Sequence, residues 1–185
     1  MNLERARSLL DRVASGALDS TEALRQLAIP DGEPLDFATI DHHRALRQGF
    51  PEVIFAAGKT LEQLLAIAER LNADGEGFLA TRVESEMWRP LAHRFPGVEI
   101  NELGRVAYLP PSVSKASDRG TVLVITAGTS DLPVAEEAAV CARAFGATVQ
   151  RLTDVGVAGL HRILSRGEQL QRASVIIVVA GMEGA

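Results

Sequence analysis

Residues 121 to 131 read Thr-Val-Leu-Val-Ile-Thr-Ala-Gly-Thr-Ser-Asp, and this stretch decides the fold of the chain. Its first half is a continuous apolar run without polar alternation, which is typical of a β-strand covered on both faces. Alanines then recur at helical spacing from Ala135 onward until Gly146 ends the pattern. A strand, a tight turn and a helix in this order predict an α/β fold with a parallel sheet.

The turn between this strand and this helix contains Gly128, Thr129, Ser130 and Asp131. Such a turn directs backbone N–H groups and hydroxyls beyond the carboxyl edge of the sheet, where the helix N-terminus adds a partial positive charge. We therefore interpret the four residues as candidate substrate-binding residues. A simpler interpretation stays open, in which Ser130 or Asp131 only caps the helix.

A second strand is predicted at residues 148–153, and a third, buried strand is predicted at residues 174–179. Asp154, Gly156 and Gly159 follow the first of them. In a parallel sheet these residues lie at the same carboxyl edge as the turn after the first strand, so we add them to the candidate binding site. A parallel sheet of three strands leaves an apolar edge unpaired, and we therefore expect the sequence to stop within this domain.

The composition indicates a globular protein, with 46% hydrophobic and 23% charged residues. A net charge of −5 gives no support for nucleic acid or an anionic membrane as a partner. The sequence has no apolar run of membrane-spanning length and no hydrophobic signal core at its N-terminus, so we expect a cytoplasmic protein. The single cysteine, Cys141, lies among alanines of a helix and is expected to pack rather than react.

The sequence divides into four parts by its patterns. They are an N-terminal helical segment (1–35), a small α/β domain (36–109), a linker (110–120) and the larger α/β domain that begins with the quoted stretch (121–185). Asp19 is predicted to cap the second helix, and Pro and Gly at 30–34 predict a turn-rich connector. The small domain is predicted to contain strands at 53–57, 77–81, 98–100 and 105–109 and helices at 61–71 and 84–93.

The start of the small domain carries a second group of polar residues. Arg44 and Arg47 are three residues apart, so on a helix they share a face and could bind a phosphate, with His42 or His43 close by. A solvated helix face is the alternative. We assign Asp41, His42, Arg44, Arg47 and Lys59 as further candidate substrate-binding residues.

Two short motifs in this region suggest other chemistry. Gly58-Lys59-Thr60 matches the end of a phosphate-binding P-loop, but the first glycine of that motif is replaced by Val53. We expect Thr60 to cap the next helix instead. Asp41-His42-His43 is similar to a metal phosphoesterase motif, yet no second acidic cluster follows it, and we predict no protein metal site.

The motifs together resemble the LarB family, which begins the synthesis of the nickel-pincer nucleotide cofactor. The segments that carry this resemblance are 41–55, 58–60, 126–131, 154–162 and 180–185. The larger domain also resembles, more loosely, the PurE-type aminoimidazole ribonucleotide carboxylases and mutases. Their Ser-Ala-His-Arg-Thr-Pro loop is replaced here by residues 153–162. The resemblance implies a PurE-like domain, a three-layer flavodoxin- or Rossmann-like fold.

The resemblance implies a defined reaction. LarB enzymes carboxylate C5 of the pyridinium ring of nicotinic acid adenine dinucleotide and hydrolyse its phosphoanhydride, which gives AMP and a dicarboxylated mononucleotide. CO2 or bicarbonate supplies the carbon, and Mg2+ assists on the substrate. A cysteine adds to the ring and later leaves; it is expected beyond residue 185, so Cys141 is not that cysteine and this chain alone is expected to be inactive. Glu183 is the candidate catalytic base or orienting residue, and a homo-octamer is expected.

Two other functions stay open from the sequence. One is purine-pathway carboxylase or mutase chemistry, although the catalytic His of those enzymes would fall at Ala185. The other is a non-catalytic remnant that binds nucleotide or supports an oligomer. The three hypotheses differ in substrate: a pyridine dinucleotide, an imidazole ribonucleotide, or neither.

Overall fold

A computed structural model describes residues 3–27, 33–35, 37–40, 44, 50–73, 75–112 and 119–181. The chain begins with α1 (Leu3–Ala14), α2 (Ser20–Leu27), β1 (Glu33–Leu35) and β2 (Ala38–Ile40). It continues with β3 (Val53–Phe55), α3 (Leu61–Leu71), β4 (Phe78–Thr81), α4 (Ser85–Arg94), β5 (Glu99–Asn101) and β6 (Val106–Leu109). The last elements are β7 (Thr121–Thr126), α5 (Leu132–Ala144), β8 (Thr148–Leu152), α6 (Leu160–Leu164), α7 (Gly167–Arg172) and β9 (Val175–Val179).

Two helix caps form as the sequence predicts. The Asp19 carboxylate accepts the N–H groups of Thr21 and Glu22 at 2.8 and 3.3 Å at the start of α2. At the start of α3, Thr60 and Gln63 form a reciprocal capping box, with N···O distances of 3.1 and 3.3 Å. Thr60 therefore begins a helix, and the resemblance of this segment to a P-loop is accidental.

The prediction of a turn-rich connector at residues 30–34 is wrong in part. Glu33–Leu35 pairs antiparallel with Ala38–Ile40 and forms a two-stranded hairpin. Both strands of such a pair are edge strands, so Pro34, which has no N–H group, is tolerated in this position.

The second sheet has four strands in the order β3-β4-β6-β5. β3 and β4 are parallel, whereas β6 runs antiparallel to both of its neighbours. Helices α3 and α4 cover one face of this sheet, because the apolar side chains of both helices point toward it. The core between them includes Ile54, Leu64, Phe78, Ala80 and Leu91.

The third sheet confirms the α/β fold predicted from residues 121–131. Its order is β8-β7-β9, and β7 is parallel to both neighbours. Leu123 and Ile125 pack toward Ile163 of α6 and Leu170 of α7 on one face. Val124 packs toward α5 on the other face. Both faces of the central strand are covered, as its continuous apolar run predicts.

Helix α5 lies between the two larger sheets. Ala135 and Ala139 pack on the three-stranded sheet, whereas Val140 and Cys141 pack against Leu79 and Val106 of the four-stranded sheet. The two sheets are therefore stacked with one helix layer between them, and this layer packs on both sheets. The boundaries of separate domains, placed by the sequence at residues 110–120, stay a prediction.

Gly104 allows the turn between β5 and β6 to approach α5 closely. A Cβ atom at this position would lie 2.7 Å from the amide nitrogen of Glu137. Ion pairs reinforce the contact: Arg82 lies 2.6 Å from Glu137, and Arg143 lies 2.5 Å from Glu99. The four-stranded sheet is therefore joined to α5 by apolar packing, by close backbone approach and by charge.

Candidate functional site

The loops that follow β7 and β8 are joined at the carboxyl edge of the three-stranded sheet. Thr126, the buried last residue of β7, accepts the N–H of Asp154 on its hydroxyl at 3.1 Å. Its carbonyl accepts the N–H of Val155 at 3.1 Å, and the carbonyl of Ala127 accepts the N–H of Gly156 at 2.9 Å. The edge predicted from the parallel arrangement therefore brings these two loops together.

Two residues of the loop after β8 suit this junction, one by its backbone conformation and the other by its lack of a side chain. Asp154 adopts a left-handed backbone conformation, with φ of 57°, which Asp tolerates better than most residues. Gly156 has no side chain where a Cβ would lie 2.8 Å from the carbonyl oxygen of Ala127. A bulkier residue at Gly156 would push the two loops apart.

The loop after β7 is closed by Asp131. Its carboxylate accepts the N–H of Gly128 at 2.8 Å, and residues Thr129–Asp131 form one turn of 3-10 helix. No side chain caps the first turn of α5 itself, but the bond from Gly128 to Asp131 closes the 3-10 turn that runs directly into this helix. The capping interpretation of Asp131 therefore stays open beside the binding interpretation. Thr129 and Ser130 are exposed and present their hydroxyls at the edge.

Strand β9 ends beside the same junction. The carbonyl of Val179 accepts the N–H of Ala127 at 3.1 Å, so the chain leaves β9 next to the loop after β7. The strand order β8-β7-β9 makes this a topological switch point, where ligands of parallel α/β folds bind. Glu183 lies outside the described residues, and its catalytic role stays a prediction.

The second candidate group is described only in part. Asp41, His42 and Arg47 lie outside the described residues, whereas Arg44 is half-buried. Lys59 is half-buried in the turn after β3, where its N–H donates to the carbonyl of Ala56 at 3.0 Å. The binding roles of all five residues stay predictions.

The carboxyl ends of β3 and β4 point the same way as the N-terminus of α5. Val53, at the start of β3, packs near Phe145 at the end of α5. Arg82, just after β4, pairs with Glu137 in the first half of that helix. The turn with Lys59 therefore lies toward the same end of the molecule as the loop after β7.

Arg162 contacts the candidate site, although the sequence analysis did not select it. Its guanidinium forms an ion pair with the carboxylate of Asp154 and packs over Gly159, whose backbone is buried. The two charged residues are eight positions apart with a helix start between them. Residues separated in this way do not follow the period of a helix or a strand. The sequence pattern therefore does not predict their contact, which the fold of the turn creates.

Cys141 is placed for packing and not for chemistry, as the sequence predicts. The side chain lies between α5 and the four-stranded sheet, next to Val140. Burial, with a smaller contribution from Glu137, raises the pKa of Cys141 to about 11. The thiol therefore stays protonated at neutral pH and is a poor nucleophile there.

We expect Cys141 to resist alkylation in the folded chain. A pKa of about 11 instead of 9.0 lowers the thiolate fraction at pH 8 by about 100-fold. Iodoacetamide labelling followed by mass spectrometry should therefore be slow under native conditions and fast in denaturant. A Cys141→Ser chain, labelled in neither condition, is the control. Rapid labelling of the native chain would contradict this placement of the thiol.

The described part of the chain lacks two features that would point to other functions. None of its helices is both long and apolar enough to span a bilayer. Within the same residues, no three side chains of His, Cys, Asp or Glu come together as a set of metal ligands.

Two comparisons with known proteins bear on the family of the chain. A family model described as the LarB/PurE-like N-terminal domain matches residues 32–111, which include the hairpin and the four-stranded sheet. An uncharacterized protein of Methanocaldococcus jannaschii is 31% identical over an alignment of 187 residues. That alignment covers 97% of this chain and 73% of the relative. The similarity to this relative runs through both larger sheets, and the family match gives the family its name: the chain belongs to the LarB family.

Proposed function

We propose that this chain binds nicotinic acid adenine dinucleotide for carboxylation at C5 of its pyridinium ring and hydrolysis of its phosphoanhydride. Membership of the LarB family indicates carboxylase-type chemistry. The observation that supports the site is the junction of the loops after β7 and β8, made by Thr126 and Ala127. It gathers exposed hydroxyls, backbone groups and charged side chains at a switch point of the sheet.

The loop after β7 is suited to hold a polar substrate. Asp131 fixes the loop by accepting the Gly128 N–H, so Thr129 and Ser130 are presented in one arrangement. Their exposed hydroxyls can donate to phosphate oxygens or exchange hydrogen bonds with ribose hydroxyls. A loop that is already ordered loses less conformational freedom on binding.

The proposed reaction needs a thiolate and a base. The thiolate adds to the pyridinium ring, and the resulting enamine carbon attacks CO2 to form the new C–C bond. The base removes the proton from C5, the thiolate leaves, and the aromatic ring is restored. Water separately cleaves the phosphoanhydride and releases AMP. Cys141 is buried with a raised pKa, so the thiolate of this scheme is not Cys141.

Glu183 is the residue that we propose as the base. The carbonyl of Val179, at the end of β9, accepts a hydrogen bond from Ala127, and Glu183 follows four residues later. The proposed role needs this carboxylate to act at the edge where we propose that the substrate binds. Its conjugate acid would then hold the proton taken from C5.

Mg2+ enters the proposal as an ion carried by the substrate. Mg2+ at phosphates needs only one or two protein carboxylates, and the carboxylate of Asp131 is a candidate for this role at the edge. When bound, the ion would neutralise phosphate charge during hydrolysis.

The test measures binding and turnover separately. By isothermal titration calorimetry, we expect the chain to bind nicotinic acid adenine dinucleotide in preference to aminoimidazole ribonucleotide. A second experiment uses a form of the protein that contains the catalytic cysteine, with labelled bicarbonate and Mg2+. By mass spectrometry, this form should convert the dinucleotide to a labelled dicarboxylate and AMP. In that form, Glu183→Gln should abolish carboxylation while the substrate still binds.

Three results would contradict the proposal. Failure of the chain to bind the pyridine dinucleotide would remove its basis. Turnover of the imidazole ribonucleotide would favour purine-pathway chemistry. Normal carboxylation by the Glu183→Gln protein would leave the reaction intact but remove Glu183 as its base.

A further inference from the structure

Phe55 is a large aromatic side chain at the end of β3, and it is 59% exposed. Two residues earlier in the strand, Val53 packs with Leu79 and with residues at the end of α5. Because side chains alternate along a strand, Phe55 projects from the same face of the sheet as Val53, which is the face that α5 covers. β3 is also an edge strand, and no other described strand pairs with its outer side.

Val134 is a second exposed apolar side chain near this face. It lies in the first turn of α5 and is 49% exposed. Seven residues separate it from Cys141, so both project from the same side of the helix. Cys141 packs in the apolar cluster that contains Val53. Val134 therefore lies on the side of α5 that packs on the four-stranded sheet, two turns closer to the helix N-terminus.

Phe55 and Val134 border an apolar opening between the four-stranded sheet and α5. Deeper in the same interface, Leu79 and Val140 are only 2% and 4% exposed. Phe55 lies two residues beyond this packed part, about 7 Å along the strand, and Val134 lies seven residues beyond it, about 10 Å along the helix. Both distances run toward the N-terminus of α5. The packing is thus complete at the centre of the interface and stops before this end.

The rim of the opening carries polar groups that suit phosphates. Val134 lies four residues after Ser130, which is exposed in the loop after β7. Lys59 lies four residues after Phe55, in the turn that follows β3. An ammonium group and a hydroxyl at the rim can donate to phosphate oxygens, whereas the apolar walls suit a flat ring.

The substrate of the proposed function carries two aromatic rings, one at each end of its diphosphate. The pyridinium ring must lie near the proposed base, Glu183, which follows β9 of the three-stranded sheet. Phe55 belongs to the other sheet, so the adenine ring is the one left for this opening. Adenine has two π-faces, and bases stack on exposed aromatic side chains in many nucleotide sites.

We propose that the adenine ring of the substrate stacks on Phe55, with Val134 as the opposite wall of the opening. The inference rests on the proposed function, because it assigns the second ring of the same substrate. Binding of the ring covers two apolar side chains that the fold leaves in water, and this burial favours the contact. Phe55 then recognises the adenylate half of the dinucleotide, and the reacting half lies at the three-stranded sheet.

The experiment compares three variants with a matched control. Phe55→Ala removes the ring, Phe55→Trp keeps an aromatic face, and Val134→Thr makes the opposite wall polar with little change in shape. Phe37→Ala is the control, because Phe37 is another exposed phenylalanine, at 46%. Its hairpin packs through Ile40 on the core beneath α3 and α4, on the face of the sheet away from α5. Thermal unfolding checks that each variant folds.

Calorimetry with three probes gives the readout. The probes are nicotinic acid adenine dinucleotide, ADP-ribose and nicotinic acid mononucleotide. We expect Phe55→Ala to bind the dinucleotide and ADP-ribose about 10- to 100-fold more weakly than the unchanged chain. Phe55→Trp should bind both at least as tightly as the unchanged chain, Val134→Thr should show a smaller loss, and Phe37→Ala should show none. The mononucleotide has no adenine and should bind equally to all the variants.

The outcomes separate this inference from the proposed function. Equal binding of the dinucleotide by Phe55→Ala and the unchanged chain would overturn the inference alone. A loss with the mononucleotide but not with ADP-ribose would place the pyridinium ring on Phe55 and would also overturn it. Phe55-dependent binding of ADP-ribose without binding of the dinucleotide would support the adenine contact and overturn the proposed function. If the unchanged chain binds none of the probes, both fail.

Discussion

Replacing Leu123 with alanine should lower the free energy of unfolding by about 2–5 kcal/mol, the usual cost of truncating a fully buried leucine. Leu123 lies in the central strand β7 and is 0% exposed. It packs with Ile125, Leu152 and Ile163, so the deleted atoms leave a cavity between the sheet and α6. Urea unfolding of the two chains, followed by circular dichroism, measures the difference.

Ile176→Ala is the matched control for this prediction. Ile176 lies directly opposite Leu123 in the register of β7 and β9, on the same face of the sheet, but is 43% exposed. Less apolar surface returns to water when it is truncated, so the expected loss is below about 1.5 kcal/mol. Equal losses from the two substitutions would contradict the described covering of this face.

Replacing Gly77 with alanine should destabilise the chain by about 2–4 kcal/mol, because a left-handed conformation and a steric overlap act together. Gly77 has a φ of 71° just before β4. A Cβ atom there would overlap the carbonyl oxygen of Leu109 and lie 2.8 Å from the carbonyl carbon of Pro110. These atoms are backbone and cannot turn aside. The midpoint and slope of urea unfolding check the size of the effect.

Gly97→Ala separates the two contributions. Gly97 also has a positive φ, of 91°, but no heavy atom lies within 4 Å of the position that a Cβ atom would take there. Only conformational strain should remain, at about 1–2 kcal/mol. If Gly77→Ala costs no more than Gly97→Ala, the crossing of residues 109–110 over Gly77 is looser than described.

The sequence predicts elements best where burial leaves a strong pattern. The apolar run of β7 predicts a strand covered on both faces, and the alternation of strands with helices predicts the parallel sheet. The β1–β2 hairpin was not predicted, because three-residue strands are too short for a period and Pro34 argues against a strand. The order β3-β4-β6-β5 also depends on pairing between distant segments, which local patterns do not encode.

Some residues of the candidate site could likewise be predicted from the sequence, and others could not. Gly128–Asp131 and Asp154 could be identified because each follows a strand of one parallel sheet. Arg162 could not, because its position depends on the conformation of Asp154 and on the space over Gly159. Residue types predict which loops meet, whereas the geometry of a single turn decides which side chains touch.

Helix α5 packs on two sheets, and this has a consequence for local unfolding. A surface helix opens by leaving one neighbour, but α5 must separate from β7 on one side and from β4 and β6 on the other. Its opening therefore costs nearly as much free energy as unfolding the whole molecule. The loop that precedes α5 and contains Thr129 and Ser130 is thus anchored to one of the last segments to lose its structure on denaturation.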